Sequence, residues 1–259
     1  MNDMVQFSFA LSSRMRAFIE LRDALACLES AYVSQNGPAW LHAACDLRTS
    51  LIGDHGRKQV VPEVMGLLQE MKKHLKELGE GIPHYQARIQ KTCDKIENHI
   101  EQLKPGVPEV ARILSHDALL AAYLNAQKKH DWLGHKLCLQ QSIKAIWKRP
   151  DERTLPLHQA LVPLCDAVNS LDSMLNDFVS WNKEIAIGGT GHITPDRKTS
   201  FGLLVIALPE EAVENGIIPD ISGNRLAIRI RFQQWLPGEQ TKDYTEDQPY
   251  SMMLIPIGG

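Results

Sequence analysis

From Ser12 to about Gln127, apolar residues recur at three- and four-residue steps, and the chain reads as a succession of helices. Ser12 or Ser13 can cap the first, whose Met15, Phe18, Ile19, Leu25 and Leu28 form one stripe. Gln35-Asn36-Gly37-Pro38 breaks it, and a second helix is expected from Ala39 to Leu51. Val61, Met65, Leu68, Met71, Leu75 and Leu78 make a third stripe, stopped by Gly79 through Pro83. A charged fourth helix from His84 to Leu103 ends at Lys104-Pro105-Gly106, and Pro108 opens a helical pair interrupted near Ser115-His116-Asp117. Gly134 to Trp147 fits strand or helix, with a strand pair as the working expectation. Pro156 begins a long helix running to about Trp181.

After Lys183 the period changes from four to two. Phe201 to Leu208 is a strongly apolar run, Pro209 to Pro219 reads as connecting chain, and Ser251 to Ile255 is a closing strand. Val5 to Ala10 also alternates, so the beginning of the chain is expected to join this sheet. Connections without a crossover helix imply antiparallel pairing. The expected architecture is α+β, a mostly helical body with a smaller, mostly antiparallel β unit. The helical domain is expected to comprise residues 11–132 and 151–183. Residues 1–10, 133–150 and 184–259 would make a discontinuous β domain.

The most informative stretch is Ser222 to Phe232. Gly223-Asn224 has turn chemistry, and strict alternation follows. Leu226, Ile228, Ile230 and Phe232 would point to a core, while Arg225, Arg229 and Arg231 line the opposite face. At about 3.3 Å per residue, Arg225 and Arg229 would lie about 13 Å apart, a spacing suited to an extended acidic peptide. A solvated strand face is the plainer alternative. Arg14, Arg16 and Arg22 decorate the first helix, and Arg48, Arg57 and Lys58 surround the Gly53–Gly56 turn. Should the Arg57 turn fold beside Arg225 and Arg229, the group could grip carboxylates through forked hydrogen bonds.

Composition narrows the classes. A net charge of -3 gives no global pull toward nucleic acid or anionic lipid, so a basic site must be local. No apolar run approaches the roughly 20 residues of a membrane helix, and membrane insertion is not expected. The N-terminal residues lack the pattern of an export signal, which points to the cytoplasm. Cys27, Cys45, Cys93, Cys138 and Cys165 are odd in number and widely spaced, and read as buried free thiols. His130, His135 and Cys138 lack the spacing of a zinc knuckle or helix pair, so no metal is expected. The chain has no phosphate-cradling G-x-x-x-x-G-K-[ST] and no G-x-S-x-G elbow; Gly188 to Gly191 reads as a flexible connector. No carboxylate pair has a reason to be buried, so a catalytic role is not expected.

Two stretches carry a resemblance. Phe7 through Leu28, with Leu11 and Arg14-Met15-Arg16, and the run Ile221 to Phe232 resemble the two ends of the ZapD family. These are bacterial division proteins that bind and bundle FtsZ filaments. The order of elements agrees across nearly the whole chain. The resemblance implies a symmetric homodimer without cofactor, built of a helical domain and a β-sandwich-like domain and acting at the mid-cell division ring. It further implies a basic pocket for the acidic-to-apolar C-terminal tail of FtsZ. Arg225 and Arg229 fall on strand arginines of that pocket, with Arg231 beside them. The family's third basic position falls on His55, with Arg57 and Lys58 following at once. Gly188 to His192 departs from the Gly-x-Tyr-Gln-like segment of relatives. A nucleic-acid-binding module using the same basic strand is the alternative reading.

Overall fold

The computed structural model describes residues 4–52, 60–80, 86–128, 141–145, 147–148, 150–177, 180–196, 199–224, 226–238 and 240–258. Strand β1 (Met4–Ala10) leads into helices α1 (Ser13–Val33), α2 (Gly37–Ile52), α3 (Val60–Glu80), α4 (Gln86–Leu103), α5 (Pro108–His116), α6 (Ala118–Lys128) and α7 (Pro150–Asp177). Strands β2 (Asn182–Ala186), β3 (Thr190–Ile193) and β4 (Ser200–Pro209) precede a short helix α8 (Glu210–Glu214). Strands β5 (Ile217–Asn224), β6 (Ala227–Gln234), β7 (Lys242–Asp243) and β8 (Gln248–Gly258) complete the chain. The fold is α+β, with a helical body and antiparallel sheets.

Two compact units divide the chain. One gathers Met1–Arg16, Glu70–Ile82 and Asp172–Gly259; the other holds Ala17–Gln69 and Pro83–Leu171. The described residues between 133 and 150, namely 141–145, 147–148 and 150, therefore fall in the second unit and not with the strands. The strand pair expected there is corrected by a helical turn at residues 141–145, and residues 129–140 lie outside the described ones. The mixed spacing of Leu137, Leu139, Ser142, Ala145 and Trp147 satisfied both periods, and packing decides. Trp147 lies against Trp40, with ring centroids 5.9 Å apart.

Within the helical unit, local capping explains most boundaries. Asn36 Oδ1 accepts the Ala39 N–H at 3.1 Å and starts α2, while Gln35 at φ 53° ends the turn before it. Asp117 Oδ1 takes the N–H groups of Leu119 and Leu120, separating α5 from α6. Gly37 is demanded by contact, because a Cβ there would sit 2.9 Å from the Trp147 ring. Helix α7 starts at Pro150 rather than Pro156, and carries Pro156 and Pro163 inside it. Its buried Leu157, Leu161, Leu164, Val168 and Leu171 sustain the helix where two prolines withhold backbone donors. The first turn of α1 belongs to the other unit, where Ser12 Oγ caps it by accepting the Met15 N–H at 3.1 Å.

The β unit is a sandwich of two antiparallel sheets. The first has the order β1-β4-β8-β2, and the second β3-β6-β5 with β7 added beside β6. Val5 to Ala10 joins β4 as expected, with Phe7 opposite Ile206 and Phe9 opposite Leu204. Leu203 to Leu208 are all buried, so β4 is shielded on both faces, which explains its unbroken apolar run. Between the sheets lie Leu204, Ile206, Leu208, Met252 and Tyr250 from the first, with Ile217, Ile228, Ile230 and Phe232 from the second. Each such large side chain contributes about 1.5–3 kcal/mol by leaving water.

The chain crosses from the first sheet to the second at Gly188-Gly189. The flexible connector expected here is instead a pinned turn, with φ of 56° and 72°. A Cβ on Gly189 would lie 1.7 Å from the Tyr244 carbonyl oxygen. Its own carbonyl accepts the Phe232 N–H at 2.8 Å, and the Gly188 N–H donates to Asp247 Oδ1 at 2.7 Å. The connecting chain expected from Pro209 to Pro219 is also more ordered, holding α8 and the start of β5.

Candidate functional site

The outer face of the second sheet is fixed by the hairpin of β5 and β6. Asn224 pairs with Ala227, so only two residues separate these strands. Asn224 Oδ1 accepts the Leu226 N–H at 2.8 Å, and Gly223, at φ 133°, lets the Ala227 carbonyl come close. The strand thus begins two residues later than the alternation predicts. Leu226, expected to face the core, is 58% exposed. Gly223-Asn224 belongs to the end of β5, where Gly223 pairs with Ile228 and Asn224 with Ala227, while the Asn224 side chain caps the loop that follows.

Register then builds the face row by row. Ile228, Ile230 and Phe232 point inward and are buried; Arg229 and Arg231 point outward. Opposite Arg229 stand His192 on β3 and Ser222 on β5, all three exposed. Opposite Arg231 stand Thr190 and Asp220.

The two arginines differ in their partners. Arg231 donates from Nη2 to Asp220 Oδ2 at 2.9 Å, and its Nη1 lies 3.7 Å from Asp243 Oδ1 on β7. Its charge is neutralised by groups of its own sheet. Arg229 has no acidic partner among the described residues. Arg225, His55, Arg57 and Lys58 lie outside the described residues. Of the residues expected to form a basic pocket, the described structure therefore presents one open guanidinium, Arg229, and one committed guanidinium, Arg231.

Sequence reading missed the counter-charges. Asp220 and Asp243 carry no motif, and only the two-residue loop reveals that Asp220 faces Arg231. Had the turn been placed at residues 225–226, the pairing would have followed by counting back along β5.

Burial pushes the Cys45 thiol up to about 12 and the Cys165 thiol to about 11, so both keep their protons at neutral pH. Cys27 is exposed, a departure from the buried thiol expected there, and His130, His135 and Cys138 lie outside the described residues. No cluster of metal-binding side chains occurs among the described residues. No helix among them is long and apolar enough to cross a membrane. In the helical unit, Gly37, Pro38, Ile143, Lys144 and Trp147 line an open groove of about 640 Å³ that holds no acid–base pair.

No family model matches the chain, and no curated protein matches it.

Proposed function

We propose that this chain is a bacterial division protein that binds the acidic C-terminal tail of FtsZ and cross-links its filaments. The observation that carries the reading is Arg229, an outward guanidinium without an acidic partner among the described residues, on a strand whose sequence resembles the ZapD pocket. Around it, the sandwich anchors β6 through Ile228, Ile230 and Phe232, so the guanidinium stands on a rigid platform. A carboxylate meeting that fork gains a charge-assisted bond, and apolar tail residues add contact area. One such site in water gives about micromolar affinity.

Bundling requires the site twice. A two-fold homodimer presents two copies, and tails arrayed along polymers engage both with added avidity. The protein needs no cofactor for this and acts in the cytoplasm at the division ring.

Co-sedimentation with FtsZ polymers tests the reading. Wild-type protein is expected to pellet with filaments and thicken them into bundles, while Arg229→Glu stays in the supernatant with its fold unchanged. Failure of the wild type to pellet, or sedimentation as a monomer at working concentration, overturns it. The rival use of the same face, binding nucleic acid, is read in parallel by gel shift with short single and double strands.

A further inference from the structure

We propose that His192 is a second carboxylate-binding residue, forming with Arg229 a two-donor clamp across β3 and β6; this rests on the tail-binding reading above. Strand register places His192 directly opposite Arg229. Opposed residues of an antiparallel pair share a face, with Cβ atoms about 4.5–5.5 Å apart. An imidazole N–H and a guanidinium N–H at that separation reach the two oxygens of one carboxylate. Both residues are exposed, so the clamp is open to an incoming chain. Ser222, on the far side of Arg229, adds a hydroxyl to the same transverse row.

The neighbouring row sets what can bind. There Arg231 is engaged by Asp220 at 2.9 Å and faces Asp243 at 3.7 Å, leaving two carboxylates and one cation. Among the described residues of this face, attraction for anions is therefore concentrated in the His192–Arg229–Ser222 row. A nucleic acid, with a phosphate at every step, would carry charge onto Asp220 and Asp243. A peptide whose acidic residue precedes apolar ones meets no such repulsion. The ligand class is a carboxylate on an otherwise weakly charged extended peptide.

The test uses the full chain and a fluorescent synthetic peptide with the acidic-to-apolar composition of the FtsZ tail. Anisotropy is expected to show His192→Ala raising Kd about three- to tenfold, the range for a solvated charge-assisted bond. His192→Gln, which keeps an N–H donor, recovers part of that loss. Replacing the peptide carboxylates by amides removes the difference between wild type and His192→Ala. Carbon-edited NMR supplies a readout that a merely structural role would leave still: the His192 ring resonances move on adding the acidic peptide. Equal Kd for wild type and His192→Ala, with unmoved ring resonances, overturns the clamp and leaves tail binding standing. No binding by the wild type overturns both. Tighter binding of single-stranded DNA than of peptide, lost in the same variant, assigns the row to phosphate and overturns the carboxylate clamp.

Discussion

Trp40 donates its indole N–H to Nε2 of His158 at 3.2 Å, while Glu29 Oε2 lies 3.4 Å from Nδ1 of the same ring. Accepting from the indole requires a bare Nε2, so the ring is neutral with its hydrogen on Nδ1. Tyr32 stacks on the ring with centroids 4.2 Å apart, so α1, α2 and α7 meet at this one imidazole.

A pH dependence follows from that neutrality. Burial holds His158 below the ordinary 6.5, with Glu29 pulling the other way. Burial, helped by Lys95 and opposed by Asp166, does the same to His99, whose two ring nitrogens have no hydrogen-bond partner among the described residues. Both groups take up protons more readily in the unfolded chain than in the folded one. Stability is accordingly insensitive to these groups above pH 6.5, and declines as pH falls from 6.5 toward the folded-state values. The urea midpoint is expected to drop between pH 7 and pH 5.5, and a His99→Leu, His158→Gln double variant to flatten that drop. An unchanged slope in the double variant would assign it to other groups.

His99→Leu alone separates polarity from charge. The imidazole is 5% exposed on α4 among Cys93, Ile96, Ile100 and Leu103. Two buried nitrogens without partners cost about 1–3 kcal/mol, and leucine fills a similar volume without them. The variant is expected to gain about 1 kcal/mol in urea melts at pH 7.5, where histidine charge plays no part. A loss of stability would show that His99 has a partner the static contacts do not reveal.

Gly189→Ala probes the crossing between the sheets. Its Cβ would lie 1.7 Å from the Tyr244 carbonyl oxygen, a backbone atom that cannot rotate away. The left-handed φ of 72° adds about 1 kcal/mol for any other residue. Relief requires moving the segment that hydrogen-bonds Phe232 from both sides, Gly189 O at 2.8 Å and Tyr244 N at 3.0 Å. The expected loss is above about 3 kcal/mol, seen as a fall in thermal midpoint and new protease cleavage near residues 186–190. A midpoint within a degree of wild type would show that the crossing is free to shift.

These cases also mark what was legible in the chain. The helical stripes, the β1 return and the inward set Ile228, Ile230 and Phe232 were written in period, because one buried face repeats every 3.6 or 2 residues. Local pattern makes Gly189 a flexible joint, because its role depends on Tyr244, 55 positions away, which no local pattern encodes. The alternation misplaces Leu226 because Gly223-Asn224 is itself a dipeptide that can close a two-residue hairpin. That closure is outweighed by the ladder, in which Gly223 admits the Ala227 carbonyl. Residues 141–145 satisfied both periods, and the Trp147 contact with Trp40 selects helix. At the candidate site, composition pointed to the arginines but not to the acids that commit one of them.

The last prediction divides those two arginines, which the sequence treats alike. Arg231 bridges Asp220 and Asp243, with about two fifths of its side chain in water. An exposed pair of this kind contributes about 0.2–1 kcal/mol, reduced further by salt. Arg231→Ala is therefore expected to lower stability by that amount and, by freeing Asp220 and Asp243 beside the clamp, to weaken tail binding through repulsion. Restoring the balance with Asp220→Asn and Asp243→Asn in the same chain recovers the binding, because the lost cation was never the contact. Arg229→Ala behaves in the opposite way: the thermal midpoint holds, binding falls at least tenfold, and no change at Asp220 or Asp243 rescues it. Raising salt from low to physiological strength weakens wild-type binding, and weakens the residual binding of Arg229→Ala less, since one of the exposed charges that salt screens is already gone. Loss of binding in both variants with no rescue would mean that the ligand touches Arg231 directly and displaces its acids.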